Sequence, residues 1–210
     1  MSVTSLFLEM KDKTVLIVGA GSVGIRRARR FLDAEAHVNI VTRSIDDEIK
    51  EELILKGAHF YNNDKLDELI EECDLVVIAT NNLELNRKIA LKAEGKLINC
   101  ASDITLSNVI VPSTFKIGPV TFSIYTDSKS PLMAKELRKK IQSIITPEDI
   151  GYIELQEYVR TLLKESVPSQ AKRKDYMIKI NENETISKLI GEDKIEEAKS
   201  YAKTLINNIK

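Results

Sequence analysis

Cysteine and histidine are scarce, with two of each in 210 residues. Cys73 and Cys100 cannot build a disulfide framework, so a reducing compartment, the cytoplasm, is the expectation. They stand far apart in sequence from each other and from any histidine pair, which excludes zinc motifs of the CxxC or HExxH kind, and no metal ligand set is expected. No apolar run approaches the ~18 residues of a membrane span. Ser2 to Met10 has neither the basic stretch nor the length of a secretory signal. Neither charge is in excess: 31 Lys and Arg stand against 32 Asp and Glu, a net charge of -1. That leaves no general footprint for nucleic acid. Internal repeats and low-complexity tracts are also missing. What is present is 43% hydrophobic and 30% charged, the balance of a folded soluble chain with room for one good domain and a small appendage.

From Lys13 to Cys100 the chain alternates two periods. Thr14 to Val18 is a continuous β-branched run, as a strand buried on both faces requires. Val23 to Leu32 then reads as a helix, and Val38 to Val41 as a second strand. Ile45 to Leu55 is a helix stopped at Lys56-Gly57, Ala58 to Tyr61 a weaker strand, and Lys65 to Glu71 a short helix. Leu75 to Ala79 is the clearest strand after the first, followed by a helix from Leu83 to Ala93 and a strand from Lys96 to Asn99. This spacing predicts βαβ units and a doubly wound, mainly parallel sheet of the Rossmann type.

After Cys100 the pattern changes. Asn108 to Thr126 is extended and broken by Pro112 and Gly118-Pro119, which predicts a hairpin and no crossover helix. From Ser130 to the C-terminus the chain reads as nearly all helical, with helices over Pro131 to Ile145, Pro147 to Glu165 and Glu192 to Ile209 and with Pro168 to Arg173 as a linker. The expected organisation is a dinucleotide-type α/β domain over 1–107, a small β-rich region over 108–146 and a helical domain over 147–210.

Gly19-Ala20-Gly21-Ser22-Val23-Gly24 directly follows the first strand and opens the first helix. In that position the first glycine makes the tight turn and the second lets a pyrophosphate approach the backbone. The third lets helix and strand pack closely, and the helix N-terminus faces the phosphates. The plain alternative is a structural βα turn. The second strand ends in Val41-Thr42-Arg43-Ser44, without the acidic residue that ordinarily holds the ribose of NAD. An arginine there suits a 2′-phosphate, so these residues leave NAD and NADP open.

Several segments in order resemble one family. Ser5 through Arg29, containing the glycine loop, is similar to the opening of the siroheme synthase dehydrogenase family. Ala79-Thr80-Asn81-Asn82 with Glu84-Leu85-Asn86-Arg87 resembles its segment after the fourth strand. Asn99 through Pro112 and Lys129-Ser130-Pro131 through Arg138 resemble its active-site loop and the start of its dimer-core helix. A weaker likeness reaches Lys172 to Tyr176.

The resemblance implies precorrin-2 dehydrogenase activity: oxidation of precorrin-2 to sirohydrochlorin, with NAD as hydride acceptor, in a homodimer. It places Ser22 and Val23 at the pyrophosphate, Arg43 and Ser44 beside the adenosine ribose, and Thr80 and Asn81 along the cofactor. The family's proposed base is an aspartate in the loop after the fifth strand. That position falls on Ser102, with Asp103 next to it. Either Asp103 takes the role, or positioning suffices without a base; as an ordinary turn former, Asp103 could equally be a cap. A substrate ringed with carboxylates wants a basic cleft, and Lys116, Lys129, Lys135, Arg138, Lys139 and Lys140 outnumber Asp127 and Glu136 locally. Ser128 and Ser130 add donors near the Pro131 helix start. Ser128, Lys129, Ser130, Lys135 and Arg138 are therefore the expected substrate contacts.

Two other readings stay open. Some family members also insert ferrous iron, so a bifunctional dehydrogenase and chelatase, or a chelatase alone, is one. A non-catalytic nucleotide- or tetrapyrrole-sensing module, with Ser102 marking lost activity, is the other. His37, His59, Cys73 and Cys100 read as structural, and Arg26, Arg27, Arg29 and Arg30 as a solvated helix face with one or two contacts on the cofactor side.

Overall fold

Five short strands build one parallel sheet: β1 (Thr14–Val18), β2 (His37–Val41), β3 (His59–Tyr61), β4 (Leu75–Ile78) and β5 (Leu97–Cys100), in the order β3-β2-β1-β4-β5. The computed structural model describes residues 3–208. Four crossover helices join the strands: α1 (Ser22–Leu32), α2 (Asp47–Leu55), α3 (Leu66–Glu72) and α4 (Leu83–Lys92). Alternation along the strands divides the core in two. Val15, Ile17, Val38, Ile40 and Val77 pack against Ala28 and Phe31 of α1 and Leu53 of α2. Leu16, Val18, Val76 and Ile78 pack against Leu69 and Ile70 of α3 and Ile89 and Ala90 of α4. A strand covered on both faces has no polar side to show, which is why β1 and β4 read as unbroken apolar runs. The chain winds outward from β1 to β3 and then returns to β4, so the direction reverses between β1 and β4. Ligands of open α/β sheets bind at the carboxyl ends of the strands flanking such a reversal.

The chain separates into two compact units, Met1–Val111 and Pro112–Lys210. The second begins with an antiparallel hairpin, β6 (Ser113–Ile117) and β7 (Val120–Ile124). Gly118 and Pro119 form its two-residue turn, Gly118 at φ +54°, and the Phe115 and Phe122 rings stack with centroids 5.1 Å apart. Five helices follow: α5 (Pro131–Ile144), α6 (Pro147–Ser166), α7 (Gln170–Asn181), α8 (Glu184–Gly191) and α9 (Ile195–Asn207). Leu155, Val159 and Leu163 of α6 pack with Ile180, Ile186, Ile190, Ala198, Ala202 and Ile206 into a third core.

Two sequence expectations are corrected. The segment 168–173 is a linker only to Ser169, which caps α7 by accepting from the Lys172 amide. The run Lys172-Arg173-Lys174-Asp175 hides that helix, which buries Ile180 fully and little else. The last helical stretch starts at Ile195, and Gly191 ends a separate helix, α8. Before the expected hairpin, Val109 and Val111 cover the core beside α1 and α2. Among the described residues no helix is long and apolar enough to cross a membrane, and Cys73 and Cys100 are both buried and free.

Candidate cofactor and active site

The glycine loop divides its labour by geometry. Gly19 sits at φ +99°, and a Cβ there would lie 2.6 Å from the Ala79 carbonyl oxygen, so the turn abuts the end of β4. A Cβ on Gly24 would lie 2.0 Å from the Gly19 oxygen, which makes the third glycine obligatory for packing. Gly21 has nothing within 4 Å of its Cβ direction. That open approach lies at the start of α1, whose N-cap is Gly21 itself. No side chain caps this helix, and its first turn has no acidic residue. The chemistry of the site therefore fits a dinucleotide: unmet backbone N–H groups, a positive helix end and free space in front of them.

Thr42 ties this loop to the end of β2. Its hydroxyl accepts from the Ala20 amide (3.3 Å) and donates to the Ser44 carbonyl (2.9 Å). Beyond it, Thr42, Arg43, Ser44, Asp47, Lys50 and Tyr61 line a groove of about 340 Å³. Asp46, the first carboxylate after β2, is spent on capping α2 and accepts from the Glu48 and Ile49 amides.

At the carboxyl ends of β4 and β5 a second group assembles around Asn86, which is completely buried. Its Nδ2 donates to the Thr80 carbonyl (3.0 Å) and to Ser102 Oγ (2.9 Å), and its Oδ1 accepts from the Thr80 hydroxyl (2.5 Å). Thr80 and Ser102, residues of two different loops, are thus joined through one amide. Neither Asn86 nor Thr42 stood out in the sequence as a site residue. The available signal for Asn86 was a polar residue on the apolar face of α4, in helical register with Ile89 and Ala90. Asn81 lies exposed beside Thr80.

Asp103 is the N-cap of a short 3-10 turn, Ile104–Leu106. Its Oδ1 accepts from the Thr105 hydroxyl (2.6 Å) and amide (2.9 Å). These bonds, the hydroxyl first, hold its carboxyl below the usual aspartate range. Both fall on Oδ1, leaving Oδ2 without a partner among the described residues.

Of the arginines of α1, Arg26 is exposed as expected, while Arg27, Arg29 and Arg30 are half-buried. Arg29 makes a two-pronged pair with Glu52 (2.9 and 2.5 Å). Arg27 is half-buried and donates to Asn99 Oδ1. Burial, then the neighbouring Arg30 and Arg26, pushes the Arg27 guanidinium down to about 10.

In the second unit, Ser130 caps α5 by accepting from the Met133 amide (3.1 Å). Asp127 and Ser128 both have positive φ, 54° and 58°, so the loop before α5 turns sharply at those residues. Lys129 pairs with Asp127 (2.9 Å), Lys139 with Glu136 (3.0 Å), and Arg138 lies over the Phe115 ring at 5.1 Å. The local basic excess is thereby reduced, while Lys116, Lys135 and Lys140 remain exposed.

The family model described as "Putative NAD(P)-binding" matches residues 6–113. A Methanocaldococcus jannaschii protein named "Putative precorrin-2 dehydrogenase" is 34% identical over 189 residues, 85% of this chain and 90% of that protein. The precorrin-2 dehydrogenase of Methanosarcina barkeri is 33% identical over 187 residues, 86% of this chain and 84% of that protein. A solved structure of "SirC, precorrin-2 dehydrogenase" shares the fold, with a TM-score of 0.75 over 96% of this chain and 100% of that chain at 22% identity.

Proposed function

The chain belongs to the precorrin-2 dehydrogenase family, and on that footing we propose that it oxidises precorrin-2 to sirohydrochlorin, with NAD as hydride acceptor, in siroheme formation. The observation that carries the reading is the start of α1. Among the helices of the described residues it alone has neither a capping side chain nor an acid in its first turn, and its N-cap glycine opens on free space. An anionic ligand satisfies such an end, and the pyrophosphate of a dinucleotide fits it.

NAD, when bound, supplies the hydride acceptor. The chain's own residues do the rest. Gly19, Gly21 and Gly24 shape the turn, and the Ser22 and Val23 amides hold the pyrophosphate. Arg43 and Ser44 flank the adenosine ribose in the groove at the end of β2, and Thr80 and Asn81 border the cofactor at the end of β4. The substrate loses a proton as well as a hydride, and Asp103 Oδ2 takes the proton. Its lowered pKa makes it a modest base, but one that is ionised throughout the neutral range. Ser128, Lys129, Ser130, Lys135 and Arg138 receive substrate carboxylates, because donors and cations near an acid-free helix start suit them.

We further assign a homodimer. Leu132, Met133 and Ile144 of α5 are 68%, 50% and 61% exposed, an apolar helix surface that a second copy would cover. Sedimentation at micromolar concentration that finds only monomer would end this assignment. The function itself is tested by anaerobic incubation of precorrin-2 with NAD and with NADP. Sirohydrochlorin formation, faster with NAD, is expected; no conversion with either overturns the reading. An arm with sirohydrochlorin and ferrous ion, without NAD, tests metal insertion separately.

A further inference from the structure

We propose that Asn86 is a positioning residue that fixes the proton polarity of Ser102, making its hydroxyl a hydrogen-bond donor toward the bound reactants. This rests on the functional reading above and deepens it.

The argument is one of hydrogen-bond inventory. A side-chain amide has two N–H donors on nitrogen and an acceptor on oxygen, and its orientation must be inferred from its partners. Here a partner decides. The Thr80 carbonyl can only accept, so the atom 3.0 Å from it is Nδ2. Oδ1 then faces the Thr80 hydroxyl and accepts its proton at 2.5 Å. The second Nδ2 proton is left for Ser102 Oγ, 2.9 Å away. With no exposed surface on Asn86, water cannot substitute for any of these partners.

The consequence falls on Ser102. Its oxygen receives a proton from Asn86, so its own O–H cannot point back along that line. Among the described residues its one other hydrogen-bonding neighbour is Cys100 Sγ at 3.5 Å, a weak partner. The residue is exposed, and its hydroxyl proton is therefore available on the open side at the carboxyl end of β5. Asp103, next in the chain, has the opposite polarity, with Oδ2 able only to accept. Two adjacent residues thus offer one donor and one acceptor: Asp103 Oδ2 can take the proton that leaves the macrocycle, while the Ser102 hydroxyl donates to an acceptor of the bound reactants and holds them in place. Asn86 also spans the two loops that carry Thr80 and Ser102, so one buried amide sets both hydroxyls.

The test is a double-mutant cycle on the full-length protein with precorrin-2 at saturating NAD. Asn86→Asp keeps the shape and removes both N–H donors; Ser102→Ala removes the hydroxyl. Each alone is expected to lower kcat about tenfold, with the KM for precorrin-2 changed less than threefold. Together they should cost no more than roughly twofold beyond the worse single variant. Ser102→Thr, which keeps the hydroxyl, should return to within about threefold of wild type. Effects that simply multiply, or a Ser102→Thr as slow as Ser102→Ala, overturn the proposal.

Asn86→Asp places a carboxylate in a buried site and can fail to fold. The side-chain amide resonances of Asn86 in 15N-labelled wild type and Ser102→Ala then decide. Loss of the Ser102 acceptor in Ser102→Ala should shift one Asn86 Nδ2 proton; an unshifted pair overturns the proposal. If wild-type protein leaves precorrin-2 unchanged, the functional reading fails while this spectroscopic comparison still tests the clamp.

Discussion

In the second unit α5, α6, α7 and α8 begin on Ser130, Thr146, Ser169 and Asn183, and each of these side chains accepts from a backbone amide of the first turn. In the first unit α1 begins on Gly21, whose lack of a side chain leaves that turn unmet. Asp46 and Asn82 cap α2 and α4 of the first unit in the same manner, so it is α1 and the capped helices that solve the problem of orphan N–H groups in opposite ways. The capped helices close their own ends with a side chain, and the uncapped α3 and α9 carry acids in the first turn instead. A helix that binds an anion leaves the end open and gives up the stability a cap would add.

Filling the open end is the sharpest way to break that contrast. The Gly21 backbone is extended, at φ -72° and ψ 179°, and its Cβ direction is clear, so aspartate fits there as a good N-cap. Gly21→Asp should abolish NAD binding, at least ~100-fold by calorimetric titration, because a carboxylate meets the pyrophosphate at closest approach. The same variant should melt higher by about 1–2 °C, given a cap gain of a few tenths of a kcal/mol. Opposite signs from one substitution are the signature of a functional helix end. Unchanged NAD affinity would place the site elsewhere. Gly24→Ala, by contrast, should lose both stability and binding, since its Cβ collides with the Gly19 carbonyl.

The next effect separates the two things Asp103 can do. Asparagine caps nearly as well as aspartate, so Asp103→Asn preserves the Thr105 contact and removes the basic oxygen. Turnover should fall at least ~10-fold with NAD affinity intact. The pH profile sharpens the point. Because Thr105 depresses the Asp103 carboxyl, the base stays ionised as pH falls through the ordinary aspartate range, and activity should persist below it. Thr105→Ala should move the acid limb of kcat to higher pH. Wild-type turnover in Asp103→Asn removes the residue from the mechanism.

The closed helix ends supply the matching control. Thr146 and Asp149 form a reciprocal capping box on α6, and the Thr146 amide and hydroxyl lower the Asp149 carboxyl. Thr146→Ala should cost about 1 kcal/mol in chemical denaturation at neutral pH and leave NAD affinity unchanged. The sign of its pH dependence follows from the depressed pKa. The Asp149 contribution is complete above the unfolded carboxylate pKa and is lost as pH falls through the lower folded value, so the gap between wild type and variant should narrow in acid. It narrows by the share of the Thr146 hydroxyl bond to the carboxylate, while the share from the hydroxyl accepting the Asp149 amide remains. A loss of NAD affinity in Thr146→Ala would undo the distinction between the two kinds of helix end.

The same contrast explains what could be read from the sequence. β1 and β4 were legible because a strand buried on both faces needs an unbroken apolar run. The glycine loop was legible because its constraints are written in residue type: only glycine takes the φ of Gly19 or the contact of Gly24. α7 was not legible, since it buries one residue fully and presents a dense charge run. Thr42 and Asn86 were hidden for a different reason. Each acts through a partner 22 or 16 residues away, and nothing local marks a threonine or asparagine as a tie between loops. Asp103 was visible as a carboxylate in the right loop, but cap and base have the same spacing; only the Thr105 bonds show that the cap is made.

The smallest effect concerns the groove at the end of β2, where no carboxylate takes the usual ribose position. Arg43 and Lys50 line it together with Asp47, so a 2′-phosphate would meet two cations and one anion, a weak net attraction. Lys50 is further occupied over the Phe60 ring, 5.7 Å from its centroid. Arg43 is exposed, and screening at ~0.15 M salt reduces such a charge to a modest contribution. Arg43→Ala should therefore weaken NADP by roughly fivefold and NAD by less than twofold, with the difference shrinking as salt rises. Calorimetric titration of both cofactors at low and at near-physiological salt reads this directly. Equal losses for the two would mean that Arg43 packs against the adenosine without reading the 2′ position, and a preference for NAD would then rest on the shape of the groove between Thr42 and Asn62 instead of on its charge.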